Sequence, residues 1–124
     1  MNRVLFSSIS EHWATPMDVY TKLNEEFFFT LDPCPLSGNG EGLTRSWAGE
    51  RIYCNPPYGN GITNWLAKAR EASLAVFLLP ARTDTRWWHE YVVGASEIRF
   101  LRGRLKFKGA KYNAPFPSVV VIYR

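Results

Sequence analysis

The order of the predicted elements makes this an α/β protein, with a mostly parallel sheet and an antiparallel C-terminal edge. Helical periodicities alternate with short strand-like runs over the first two thirds of the chain, and three strand-like runs follow. Alternation favours parallel strands joined by helices, whereas successive strands favour antiparallel pairing. The chain has 124 residues, 46% of them hydrophobic and 21% charged, which predicts one globular domain over residues 1–124.

Three segments have the pattern of helices. Thr15 as N-cap, followed by Pro16 at the first helical position, predicts a helix near residues 16–27. Residues 62–73 carry apolar side chains at helical spacing, which predicts a second helix. Asp84 stands where it could cap a third helix.

Six segments have the pattern of strands, and the clearest runs from Leu74 to Leu79. It is apolar throughout, as expected of a strand that is covered on both faces. The other predicted strands are residues 28–31, 51–54, 97–101, 105–107 and 118–123. Residues 33–50 show no period and are predicted to form a long loop, which in a compact domain is usually functional or disordered.

Cysteine content and hydropathy exclude several classes of protein. The longest apolar run is far shorter than the ~20 residues that cross a bilayer, and the N-terminus lacks the apolar core of a signal peptide. Cys34 and Cys54 are too few for a disulfide scaffold, and neither histidine has metal-site spacing to them. We therefore expect a cytoplasmic protein without a metal ion or a membrane partner.

Charge is unevenly distributed along the chain. Residues 82–124 contain nine basic and three acidic side chains, a net charge of +6, whereas residues 1–81 carry −2. A cationic C-terminal third favours a polyanionic partner, because phosphate contacts dominate nucleic-acid affinity. A solvated face on a basic protein would have the same composition.

The segment Asn55-Pro56-Pro57-Tyr58 follows a predicted strand and carries the most specific chemistry. Consecutive prolines remove two amide donors and hold the backbone extended, so the segment is stiff and offers only acceptors. The Asn55 oxygen and the backbone carbonyls suit a planar group with an NH2, which could stack on Tyr58. When both N–H groups donate hydrogen bonds to these acceptors, the nitrogen lone pair becomes localised and can attack an electrophilic methyl group. The alternative is a rigid turn without chemistry.

In a parallel sheet, ligands bind beyond the carboxyl ends of the strands. Three polar clusters follow predicted strands and should meet at one edge of the sheet. They are Asp32-Pro33, Asn55 to Tyr58 and Pro80 to Asp84.

Six short motifs follow one another along nearly the whole chain. They are His12-Trp13-Ala14-Thr15-Pro16, Leu31-Asp32-Pro33-Cys34-Pro35, Glu41-Gly42-Leu43 with Trp47, Asn55-Pro56-Pro57-Tyr58-Gly59 with Trp65, Leu79 to Thr85 with Trp87-Trp88, and Arg102 to Phe107. In this order, from about Glu11 to Tyr123, they resemble the phage-type DNA N6-adenine methyltransferases. The resemblance implies a single methyltransferase domain with a reduced Rossmann-like class I fold. It also implies transfer of a methyl group from S-adenosyl-L-methionine to N6 of adenine in DNA.

The resemblance further implies which residues form the site. Four would hold the extruded adenine or stiffen the turn around it: Asn55, Pro56, Pro57 and Tyr58. Six would bind the cofactor: Trp13, Thr15 and Pro16 near its methionine part, Asp32 and Pro33 at the end of the first strand, and Glu41 at the ribose hydroxyls. Three would contact DNA: Arg82, Arg102 and Arg104.

The sequence departs from the family pattern between Asp32 and Asn55. No Gly-x-Gly loop follows Asp32, and only 23 positions separate the two residues, so the loop over 33–50 must replace missing elements. Two alternatives stay open: an amino-group methyltransferase acting on RNA or protein, and an inactive relative that binds nucleic acid. A role for Cys34 as the nucleophilic cysteine of cytosine-C5 methylation is disfavoured, because no base or companion motif accompanies it.

Overall fold

The computed structural model describes residues 13–35 and 41–124. His12 and residues 36–40 of the predicted loop lie outside this part. The helices are α1 (Met17–Phe27) and α2 (Ile62–Ala67), and the strands are β1 (Arg51–Cys54), β2 (Leu74–Pro80), β3 (Glu97–Phe100) and β4 (Ser118–Tyr123). Short helical turns cover Glu41–Leu43, Lys68–Glu71 and Trp88–Val92. No helix within these residues is long and apolar enough to cross a membrane.

The four strands form one mixed sheet in the order β1-β2-β4-β3. Strands β1 and β2 pair in parallel, whereas β4 pairs antiparallel with both β2 and β3. The α/β class is therefore confirmed, but the predicted mostly parallel pairing is wrong. The reason is that the last strand returns through the sheet and separates β2 from β3. As a result β1, β2 and β3 run in one direction and only β4 runs against them.

The shared direction of three strands places their carboxyl ends at one edge of the sheet. Leu31 forms a parallel bridge with Ile52 of β1, so the chain entering Asp32 runs the same way. Asp32, Asn55 and Ala81 follow the ends of Leu31, β1 and β2 and define what we call the carboxyl edge. The prediction that these polar clusters share one edge is confirmed.

The second and third predicted helices differ from expectation. The segment 62–73 is an α-helix only as far as Ala67 and continues as a tighter turn. The third helix is a π-helical turn over Trp88–Val92. The Trp88 N–H at its start donates to Oγ1 of Thr85 at 3.3 Å, so Thr85 serves this end in place of Asp84 and the prediction of Asp84 as cap is wrong.

Two predicted strands and one predicted cap are also corrected. Phe28 has φ of 52° and ends α1 in the left-handed region, so the strand over 28–31 is reduced to the single bridge at Leu31. Residues 105–107 form no strand. Thr15 does not cap α1, because its hydroxyl contacts Tyr53 instead.

The core is centred on β2 and β4. All seven residues of β2 are buried, as are five of the six in β4. Trp47 is also fully buried, and its Nε1 donates to the Gly42 carbonyl at 2.9 Å. Gly42 has no room for a side chain, since a Cβ there would lie 1.9 Å from the Pro33 carbonyl oxygen. These contacts hold the Glu41–Leu43 turn against Pro33.

Candidate active site

A cavity of about 240 Å³ lies at the carboxyl edge, between the N-terminal segment and the ends of the first strands. Four of the residues predicted for the site line it: Trp13, Thr15, Asp32 and Asn55. The other lining residues that the structure describes are Ala14, Met17, Tyr20, Cys34, Tyr53 and Lys108.

The side chain of Asn55 is held in one orientation by two acceptors. Its Nδ2 donates to the backbone carbonyl of Trp13 and, at 3.1 Å, to Oγ1 of Thr15. A carbonyl oxygen can only accept, so the atom that faces Trp13 must be the amide nitrogen. The Asn55 Oδ1 is buried and has no hydrogen-bond partner among residues 13–35 and 41–124. Because buried acceptors are nearly always paired, this oxygen is a candidate to receive a ligand's N–H.

Thr15 links this amide to the sheet. Its Oγ1 shares a hydrogen bond of 2.6 Å with the hydroxyl of Tyr53, a buried residue of β1. Burial raises the pKa of Tyr53, so the phenol stays protonated and uncharged. The groups that orient the Asn55 amide, Thr15 and behind it Tyr53, are therefore uncharged and do not titrate near neutral pH.

Asp32 supplies the one carboxylate among the described lining residues of the cavity. The residue as a whole is exposed, but its carboxylate lies partly shielded at the cavity wall. Loss of solvent there raises its pKa, and the N–H of Cys34, which donates to Oδ1 at 3.0 Å, opposes the shift. A partly desolvated carboxylate of this kind attracts a cationic ligand.

The thiol of Cys34 also lines the cavity, but it is not activated. Partial burial and the neighbouring charge of Asp32 raise its pKa to about 11. Nucleophilic cysteines need a lowered pKa, because the thiolate is the reactive form. The raised pKa therefore gives no support to a covalent step at Cys34.

Tyr58 is buried rather than turned towards the cavity. Its side chain is 4% exposed, and its hydroxyl donates to the Leu78 carbonyl at 3.0 Å. The ring meets Phe116 edge-on, with centroids 5.8 Å apart. Pro56 is buried as well, and Pro57 is half-buried. In this conformation Tyr58 presents no free face on which a base could stack.

The remaining predicted site residues do not line the cavity. Pro16 precedes α1, Pro33 is buried against Gly42, and Glu41 begins the short turn beyond. Three predicted DNA-binding residues are exposed around the carboxyl edge: Arg82, Arg102 and Arg104. The guanidinium of Arg82 lies 5.9 Å from the Phe116 ring centroid.

The sequence matches the family described as DNA N-6-adenine-methyltransferase (Dam) over residues 4–121. The chain belongs to this family. It is similar to a DNA N-6-adenine-methyltransferase of Haemophilus phage HP1, with 30% identity over 106 residues, and the match covers 72% of this chain. The alignment spans 61% of that phage protein's length. No solved structure matches the chain significantly.

Membership of the Dam family confirms the resemblance drawn from the six motifs. The cavity of this Dam-family chain is also lined by Tyr20, Tyr53 and Lys108, which the sequence analysis did not predict for the site. The one signal for Lys108 was the basic C-terminal third, which did not single out one lysine. Within the described residues, no group of three or more histidine, cysteine or acidic side chains could hold a metal ion.

Proposed function

We propose that the chain is an S-adenosyl-L-methionine-dependent methyltransferase that acts on N6 of adenine in DNA in the cytoplasm, with a reduced Rossmann-like fold. The observation that carries the proposal is the buried, unpartnered Oδ1 of Asn55, a residue that lines the cavity together with Asp32. The three strands that share one direction support the fold assignment, because they gather the site at their carboxyl ends.

Asn55 would act on the adenine amine as a fixed acceptor. Both N–H groups of its amide are used within the protein, so Oδ1 is the atom left to accept from N6–H. The Pro56 carbonyl would accept the second N6–H, and Pro57 would keep the turn stiff. These two hydrogen bonds would localise the lone pair on N6 without a strong base. After methyl transfer, the extra proton on N6 would leave to solvent.

Tyr58 would stack on the extruded adenine only after its hydroxyl leaves Leu78. The hydrogen bond and the edge contact with Phe116 hold the ring in its present place. The stacking role of Tyr58 therefore stays a prediction.

The cavity has a donor set that fits the proposed cofactor. S-adenosyl-L-methionine would supply an electrophilic methyl group on a cationic sulfur. The Asp32 carboxylate is placed to attract positive charge, and the rings of Trp13 and Tyr20 offer faces that a cation or an adenine ring can contact. Thr15 and Pro16 would shape the wall near the methionine part, and the Pro33-anchored turn would bring Glu41 to the ribose hydroxyls.

DNA would approach the same edge over the basic C-terminal third. Arg82, Arg102 and Arg104 are exposed there, on a stretch with a net charge of +6. We propose that they contact phosphates, which give affinity without reading sequence.

The test is digestion and mass spectrometry of DNA from cells that express the chain. We expect N6-methyladenine with the parent chain and with Asn64→Ala, an exposed asparagine of α2, but not with Asn55→Ala. A second experiment incubates the chain with radiolabelled S-adenosyl-L-methionine and DNA, RNA or cell extract. Label that appears only in RNA or protein would favour an amino-group methyltransferase acting on RNA or protein. Nucleic-acid binding without any cofactor binding would favour an inactive relative.

A further inference from the structure

We infer that Lys108 binds the carboxylate of the methionine part of the cofactor, opposite Asp32, which takes the α-ammonium group. The inference rests on the proposed function and goes beyond it by assigning the residue that recognises the amino-acid end of the ligand. Lys108 was not among the residues that the sequence indicated for the site.

The chain holds Lys108 firmly at the cavity. Residues 107–110 form a tight turn in which the Ala110 N–H donates to the Phe107 carbonyl at 3.0 Å. Gly109 has φ of 82° at the third position of this turn, a conformation that favours glycine. The Lys108 N–H donates to the Ala14 carbonyl at 2.9 Å, which joins the turn to the N-terminal segment.

Aromatic packing fixes the same turn from the other side. Phe107 is buried, and its ring centroid lies 5.4 Å from that of Trp13. Both rings also contact Phe116, at 6.0 Å and 5.2 Å respectively. The backbone of Lys108 is therefore bracketed by two anchored neighbours, and its side chain starts from a defined point on the cavity wall.

The charges at the cavity match a zwitterion. Among the described lining residues, Lys108 is the one cation and Asp32 the one carboxylate. Across residues 13–35 and 41–124 neither forms a salt bridge, with the other or with a third residue. Two opposite charges that line one cavity without a salt bridge suit a ligand that carries both an ammonium and a carboxylate, which is the chemistry of an α-amino acid. A DNA phosphate would need the cation alone.

The test compares two ligands on three proteins by titration calorimetry. The ligands are S-adenosylhomocysteine and its decarboxylated analogue, which keeps the ammonium but lacks the carboxylate. The proteins are the parent chain, Lys108→Met, which keeps most of the stem, and Lys106→Ala, an exposed lysine of the same loop that does not line the cavity. Thermal unfolding of each protein verifies that it is folded.

We expect Lys108→Met to weaken S-adenosylhomocysteine binding by about tenfold or more, the usual effect of losing a charge-assisted hydrogen bond. It should leave the analogue's affinity unchanged, and Lys106→Ala should change neither. Equal weakening of both ligands, or unchanged S-adenosylhomocysteine binding with weaker binding of a DNA duplex, would overturn the assignment of Lys108. Absence of binding to the parent chain would instead overturn the proposed function, and the inference with it.

Discussion

Oγ1 of Thr15 accepts a hydrogen bond of 3.1 Å from Nδ2 of Asn55, 40 positions further along the chain. Thr15 lies just before α1, and Asn55 lies just after β1. The amide that we propose to grip adenine is therefore aimed by the N-terminal segment rather than by its own proline turn. We propose that Thr15 is a positioning residue for Asn55.

Replacing Thr15 with valine should slow methyl transfer and lower stability by about 1 kcal/mol or more, because the buried Tyr53 hydroxyl also loses its partner. Valine has a similar shape but cannot accept from the amide, so Asn55 loses one of its two restraints. A lost hydrogen bond of this kind costs about 1 kcal/mol or more, roughly a fivefold fall in kcat. Single-turnover kinetics on a labelled duplex measure the effect, and Thr15→Ser should retain the parent rate. A valine variant with unchanged kcat would contradict this role.

Replacing Asn55 with aspartate should destabilise the fold at neutral pH. The variant carboxylate would face the Trp13 carbonyl, where the native amide donates. Two opposed acceptors cost about 1–3 kcal/mol. Protonation restores a donor, so the pKa of the introduced carboxyl is raised in the folded state. Relative to the parent chain, the variant should then be least destabilised in acid and lose stability as pH rises through that pKa. Thermal unfolding across pH gives the profile, and a profile parallel to that of the parent would rule this out.

Replacing Asp32 with asparagine should weaken cofactor binding without lowering the stability of the fold. Loss of solvent raises the pKa of Asp32 in the folded state, so its ionisation weakens the fold as pH rises through that pKa. The asparagine variant should therefore unfold at the same or a higher temperature at neutral pH, yet bind S-adenosylhomocysteine more weakly. In the parent chain, binding should weaken on acidification as Asp32 takes up its proton, and the variant should lack that dependence. A variant that keeps full affinity would remove Asp32 from the site.

Replacing Tyr58 with phenylalanine tests whether the ring moves. The change leaves the buried Leu78 carbonyl without its partner and should lower stability by about 1 kcal/mol. Since it also releases the ring, transfer should continue at the parent rate or faster if Tyr58 stacks on adenine. Tyr58→Ala should lose transfer. If the alanine variant methylates DNA normally while folded, the stacking role is wrong.

Replacing both Arg102 and Arg104 with alanine should reduce the salt dependence of DNA binding. Each lost phosphate contact lowers the slope of log K against log salt by about 0.9 on duplex DNA. We expect a slope lower by roughly 2 in fluorescence anisotropy titrations if both arginines contact phosphates. Arg70→Ala is the matched control, because Arg70 lies before β2, away from the carboxyl edge. An unchanged slope in the double variant would remove both residues from the interface.

Local sequence was sufficient for most individual elements but not for their pairing. Residues 16–27, 51–54 and 118–123 were predicted within one residue of α1, β1 and β4, because their patterns are strong. The insertion of β4 between β2 and β3 depends on contacts that no local pattern records. The same pattern of buried residues is compatible with parallel and with antiparallel pairing of the strands.

The site was predictable in its place but not in its orientation. Strand direction was sufficient to bring Asp32 and Asn55 to one edge. The orientation of the Asn55 amide, however, depends on the Trp13 carbonyl 42 positions away, and the burial of Tyr58 depends on the Leu78 carbonyl 20 positions away. Lys108 reaches the cavity through a turn whose partner, Ala14, lies at the other end of the chain.

The position of β4 within the sheet also sets when the protein can become functional during its synthesis. Within the described residues, β3 pairs with β4 alone, and one side of β2 stays unpaired until β4 docks. A nascent chain that has not yet released residues 118–123 from the ribosome therefore carries an open, apolar strand edge of the kind that recruits other chains. Translation must run through Tyr123 before the sheet closes, so premature termination upstream should yield aggregates rather than a folded but less stable protein.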